Sequence, residues 1–439
     1  MNKWMKRGIF IGIFFIITFG IFFALFKSQI GENILINYIR NKLKIVKNFE
    51  TKYFNYSFNS FSLILQNGSN KIYIYGNFFP LEGVYEAEMP KIEDISENFR
   101  GKFSSKGNFK LSQYLNILGN AVFANGYANL RFQCLDRCVG VLNGVDFNTQ
   151  KLLNMLKIDL PYFTGTNTLN LIIKKDFAKA IVVFNGDVDF KNLHLKDSVI
   201  NTDIRFKNRD KYAAKIQIYN PDMSANLFCK KNKKYSSITG TSEVNLSLLN
   251  VFTYYPFKSK QKFDVKYQNM KILQFSNNYI NGIYTLNEVN IDVNSMPSDI
   301  FFKILGIGEF FKGNVNGNIL ISPNEREFSF MIKNVNLLSN KVYNFISNKV
   351  SKKFNNLNVF LIKGKFDNQK VVFNIIGKKD KDNLLVSVQN GVYFYNGDYK
   401  FNVEVLLNRN KYVFSVDNGN IKVKNIIKSF SKKQEILVY

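Results

Sequence analysis

Groups able to do chemistry are scarce in this chain, and none falls into a catalytic pattern. The single histidine, His194, sits in Lys191-Asn192-Leu193-His194-Leu195-Lys196 and reads as a solvent-facing strand residue rather than a base. Cys134, Cys138 and Cys229 are too few for a disulfide scaffold. Cys134-Leu135-Asp136-Arg137-Cys138 suits either a small disulfide across a hairpin tip, in an oxidising compartment, or two free thiols in neighbouring strands. Zinc needs a four-ligand set, which two cysteines and one distant histidine do not make. Glu86 and Glu88, and Glu93 with Asp94, have no recognisable partner and read as surface charge. A glycosidase pair would leave no motif to find. A Gly-x-Ser-x-Gly elbow, a phosphate-cradling loop and a dinucleotide fingerprint are all missing. The expectation is a protein without catalytic residues, cofactor or metal.

What remains is a question of elements, beginning with Gly8 to Phe26, nineteen residues without a charge. At about 1.5 Å per residue they just cross a hydrocarbon core of roughly 30 Å. Ile9, Phe10, Phe14, Phe15, Phe19, Phe22 and Phe23 would meet the lipid. Ala24-Leu25-Phe26 lacks the small-x-small pattern of a signal-peptidase site, so the span reads as an uncleaved anchor. Lys3, Lys6 and Arg7 place the head, residues 1–7, in the cytoplasm by the positive-inside rule, and the body outside it. Lys27, Arg40, Lys42, Lys44 and Lys47 on the other flank weigh the opposite way.

Sixty Lys and Arg against 33 Asp and Glu leave a net charge of +27. Such a balance favours anionic partners, lipid headgroups or nucleic acid, unless it is only a solvated Lys-rich exterior. Basic residues interleave with aromatics, as in Lys258-Ser259-Lys260-Gln261-Lys262-Phe263, no more than a chain rich in Lys and Phe would show by chance. No nucleic acid partner is expected.

Residues 27–48 carry a helical pattern, with Ile30, Ile34, Leu35, Tyr38, Ile39, Leu43 and Val46 at three- and four-residue intervals. That segment either lies on the membrane surface or caps the following sheet. From Tyr53 the period becomes two, which marks residues 49–439 as a β-rich body. Nine Asn-Gly dipeptides, at Gly68, Gly126, Gly144, Gly186, Gly282, Gly317, Gly391, Gly397 and Gly419, predict tight antiparallel hairpins. Short helices are expected at four apolar quartets, beginning at Leu115, Leu153, Leu249 and Phe302. Strands should follow them, opened by Gly126, Gly165, Lys260 and Gly313. Together they suggest a degenerate repeat. A longer helix is expected over Leu338 to Phe354. No linker divides the body, so one elongated β structure is expected.

An anchor, a basic amphipathic helix, Phe54-Asn55-Tyr56-Ser57-Phe58-Asn59-Ser60-Phe61-Ser62-Leu63 and a strand ending Tyr75-Gly76-Asn77 resemble the opening of AsmA-like envelope proteins of Gram-negative bacteria. The strand–quartet–strand units and the tail from Val359 to Val423 are similar to the rest of that family. The resemblance implies an inner-membrane anchor, a cytoplasmic N-terminus and a periplasmic body. The body would be a curved antiparallel β-groove of repeated units. Phospholipid acyl chains would lie along it, in support of outer-membrane lipid homeostasis. Candidate lining residues are Val371, Phe373, Phe401, Val403 and Val405. An anchored envelope-assembly scaffold binding protein partners is the alternative, and an enzyme with an unrecognised site is a third.

Overall fold

Alternating apolar and polar side chains, with seven prolines to interrupt them, favour strands over most of the chain. A computed structural model shows that outcome: the protein is mainly β, antiparallel throughout its paired strands, with few helices. It describes residues 28–43, 48–134, 138–174, 177–190, 193–208, 211–232, 235–249, 257–269, 271–285 and 287–428. The head and the expected anchor, with Ile9, Phe10, Phe14, Phe15, Phe19, Phe22 and Phe23, lie outside the described residues. Among those residues no helix is long and apolar enough to cross a membrane.

The twenty-six strands of the described residues belong to one long antiparallel sheet, as expected of the body, and the chain divides into two compact units. The first is Met1–Asp189 with Val199–Asn208, and the second is Phe190–Ser198 with Arg209–Tyr439. In the first, ten strands from Glu50–Tyr56 to Phe177–Phe190 each pair with the next. In the second, fifteen strands from Lys211–Asn220 to Asn420–Ile427 do the same. Pairing only with sequence neighbours needs nothing longer than a hairpin turn or a short helical connection.

Helices cover part of one face in each unit. In the first, α1 (Gln29–Lys42) starts at Ser28, whose hydroxyl accepts from the Gly31 amide. It buries Ile36 and Ile39, and Ile39 packs with Phe49, Phe61, Leu63 and Leu65. Arg40 Nη2 donates to the Phe49 carbonyl at 2.7 Å. The helical pattern expected to continue through Val46 is described only to Leu43. Helix α2 (Thr149–Met155) is capped by Asn148 and packs Leu152 and Met155 against Ala121, Phe123, Ala128 and Phe147.

In the second unit, α3 (Ser298–Leu305) ends at Gly306 in the left-handed region, φ 68°. Helix α4 (Lys341–Val350) begins where the Asn340 side chain accepts from the Tyr343 amide, and ends at left-handed Ser351. Phe301, Phe302, Ile304, Ile346 and Val350 share one core with Phe311, Phe330, Ile332, Val403, Val405 and Phe414. Each such fully buried large side chain contributes about 1.5–3 kcal/mol relative to exposure.

Four expectations need correction. Leu115–Leu118 is not helical but opens the strand Leu115–Phe123, because its backbone groups are taken by strands on both sides. Two of the other quartets fall in α2 and α3, and of the third only Leu249, the last residue of the 3-10 turn Leu246–Leu249, is among the described residues. Two of the following strands open earlier than expected, at Phe163 and Phe311 rather than Gly165 and Gly313. The helix expected over Leu338 to Phe354 is confined to Lys341–Val350 by its two caps.

Fourth, five of the nine Asn-Gly pairs are not turns. Gly68, Gly397, Gly419 and the Ala124-Asn125 pair before Gly126 do make turns, with positive φ. Gly144, Gly186, Gly282, Gly317 and Gly391 lie inside strands instead. There the missing side chain makes room for a neighbour. Gly186 faces Gly165, and the Phe275 and Phe373 rings lie over Gly282 and Gly391, their register partners. A Cβ on Gly391 would sit 2.6 Å from Cε2 and Cζ of Phe373. Gly391→Val should therefore cost about 1–3 kcal/mol through overpacking, read as a lowered thermal midpoint.

Candidate functional site

Residues directly opposite one another in neighbouring strands point to the same face, so the register identifies which side chains form a continuous surface. In the second unit one such line starts at Ile216 and passes through Leu227, Gly240, Val265, Phe275 and Gly282. It continues through Ile291, Ile319, Phe328, Gly364 and Phe373 to Gly391. Twelve strands contribute, and none places a charged or polar side chain on the line. Its members are half-buried, save for the buried glycines Gly282 and Gly391.

The neighbouring line on the same face is sealed along most of its length, with Gly317, Ile362 and Ile375 half-buried. Val293, Phe330, Val388, Val403 and Phe414 are between 0 and 5% exposed. Helix α3 covers this line through Phe301, whose ring centroid is 5.0 Å from that of Phe330. From α4, Phe345 meets the Phe414 ring edge-on at 6.4 Å. The face is thus covered along one strip and left partly open along the next.

The first unit has a shorter counterpart. Gly107, Gly119, Leu130, Leu142, Leu171 and Ala180 form one line. Phe109, Ile117, Phe132, Gly140, Ile173 and Ala178 form the next. Leu130, Leu142, Leu171, Ile117 and Phe132 are half-buried and Ile173 is exposed, whereas the strip under α2 is closed.

The candidate lining residues read from the sequence divide between these strips. Phe373 lies on the open line. Phe401 is half-buried with its ring 6.1 Å from that of Phe373, and Val371 is half-buried opposite Tyr393. Val403 and Val405, 5% and 0% exposed, belong to the core beneath the helices and are closed to any ligand. Period two correctly placed Val403 and Val405 on one face with Phe401. It could not show that α3 and α4 cover one end of that face. Most of the open line, from Ile216 to Phe328, was not singled out from the sequence, because only register aligns those strands.

Polar chemistry lies off this line. The Asp367 carboxylate accepts from the Gln369 and Lys370 amides, and these bonds hold it below the usual carboxylate range. Tyr395 donates to the Asp367 carbonyl at 2.8 Å, and burial, reinforced by the Asp367 charge, pushes its phenol up to about 12. Both settings fix a loop and offer no base near neutrality. Burial also raises the Cys229 thiol, which leaves it inert as a nucleophile. His194 is exposed. Among the described residues no group of three or more His, Cys, Asp or Glu side chains is gathered as for a metal.

Cys134 and Cys138 are register partners at the ends of adjacent strands and are joined as a disulfide. Closing so short a loop is worth about 2 kcal/mol on the chain-entropy scale. Replacing both by serine should lower the unfolding free energy by that amount in non-reducing buffer, and should change nothing once reductant is added to both proteins.

No family model, no curated protein and no solved structure matches the chain.

Proposed function

We propose that this is a membrane-anchored, AsmA-like protein whose apolar β face binds phospholipid by its acyl chains and lets it move along the strands. The observation that carries the reading is the line from Ile216 to Gly391, free of charged and polar side chains across twelve strands and only half-buried. A half-buried apolar strip of that extent leaves surface still to be covered, and the helices cover most of its neighbour instead. Acyl chains suit the strip because their transfer depends on apolar contact alone, about 0.8 kcal/mol per buried CH₂, with no catalytic group required.

In this reading residues 8–26 hold the chain in the inner membrane. The N-terminus is cytoplasmic, and the body is a curved groove of degenerate repeats in the periplasm, where other envelope proteins could meet it. The test is extraction of the full chain in mild detergent, exchange into a lipid-free amphipol, and mass spectrometry of what stays bound. Phospholipid retained in proportion to protein supports the reading. A protein that comes through lipid-free removes it and leaves the scaffold in its place.

A further inference from the structure

The two most exposed large apolar side chains among the described residues are Phe58, 91% exposed, and Phe79, 77% exposed. They stand at neighbouring turns on one edge of the first unit. Residues 57–59 join Glu50–Tyr56 to Ser60–Asn67, and residues 79–80 join Asn70–Phe78 to Leu81–Met89. Asn59 binds the two turns together. Its side chain donates to the Phe79 carbonyl at 3.2 Å and accepts from the Phe79 amide at 2.9 Å, while its own carbonyl accepts from the Phe78 amide. Phe78 is 3% exposed and packs on Phe61 at 4.9 Å, so the chain buries one of two adjacent phenylalanines and holds the other out.

The start of α1 is at the same edge. Its last turn is fixed to Phe49, before the first strand, by Arg40. Glu32, in its first turn, is close enough to Tyr56, at that strand's far end, to raise the phenol's pKa, after the larger effect of burial. The helix therefore runs back along the strand toward the two turns. Ile30 and Ile34, 66% and 63% exposed, lie on its side away from buried Ile39 at 100° per residue. Only Lys27 separates Ser28 from the end of the expected span at Phe26, a reach of about 7 Å at most.

We infer that Phe58, Phe79 and Ile30 seat this edge of the first unit in the interfacial layer of the bilayer that holds the anchor. The partner is a phospholipid surface. Phe and aliphatic side chains held out beside an anchor bury at the headgroup–acyl boundary, as they do on the apolar face of an interfacial helix. The inference rests on the anchor assigned to residues 8–26 and goes beyond it, since an anchor alone could leave the body hanging free of the membrane.

Trp4 is the chain's one tryptophan, so Trp4→Phe gives a silent background for single reporters. The full chain would be reconstituted into vesicles of phosphatidylethanolamine and phosphatidylglycerol, with and without brominated acyl chains. Phe58→Trp, Phe79→Trp, Phe19→Trp and Phe99→Trp would each be read by tryptophan emission. Phe99, in the connection between the far ends of Leu81–Met89 and Phe103–Leu111, reports the opposite edge. Blue-shifted, bromine-quenched emission from positions 58, 79 and 19, with none at 99, is the expected result. Quenching at 19 without quenching at 58 and 79 overturns the seating and leaves the anchor standing. An unquenched reporter at 19 overturns the anchor and the seating with it. Equal quenching at 99 and 58 also overturns it, because contact would then not be confined to this edge.

Discussion

Val405→Asp is expected to unfold the second unit. Val405 is 0% exposed and pairs with Val386 and Tyr412 inside the core that α3 and α4 close. A carboxylate there has no partner, and taking a polar group into an apolar site unpaired costs at least about 2–7 kcal/mol, more for a charge. The folded state of an ordinary domain is favoured by only about 5–15 kcal/mol in total. Urea titration followed by circular dichroism should show the second unit's transition lost or moved to much lower denaturant. Phe414→Ala, a pure truncation at another fully buried site, should cost about 3–5 kcal/mol and separate lost packing from buried charge. A wild-type-like transition for Val405→Asp would mean that this strip is open.

Ile319→Asp should do the reverse, sparing the fold and removing the ligand. Ile319 is half-buried on the open line between Ile291 and Phe328. A carboxylate there keeps part of its hydration when the strip is empty and loses it when an acyl chain lies over it. A penalty of about 2 kcal/mol corresponds to roughly 30-fold weaker binding. Phospholipid retained per mole of protein should fall accordingly, with the thermal midpoint little changed. Unchanged lipid content in a folded variant would place the lipid elsewhere.

The contrast between these substitutions also shows what the amino-acid sequence could and could not disclose. Strand content was legible, because period two and turn residues are local. Helix α4 was legible in its apolar spacing, but its ends were set by Asn340 and Ser351, whose capping depends on backbone geometry. Leu115–Leu118 misled because four apolar residues fit a helix or a strand equally well, and flanking strands decided between them. Asn-Gly misled at Gly282 and Gly391 because glycine serves a tight turn and a seat for a ring with the same composition. The distinction between Val403 and Ile319, sealed and open, arises only when two helices settle over one strip. No pattern within either strand encodes that.

The most direct measurement is a photo-cross-link placed on each face of one strand. Phe328 lies on the open line, and Met331, 37% exposed in the same strand, points to the other face. Benzophenone-phenylalanine at position 328, irradiated in the membrane-anchored full chain, should yield a phospholipid adduct seen by mass spectrometry, and the same group at 331 should yield none. Adducts at 331 but not 328, or at neither position, would contradict a lipid-carrying apolar face.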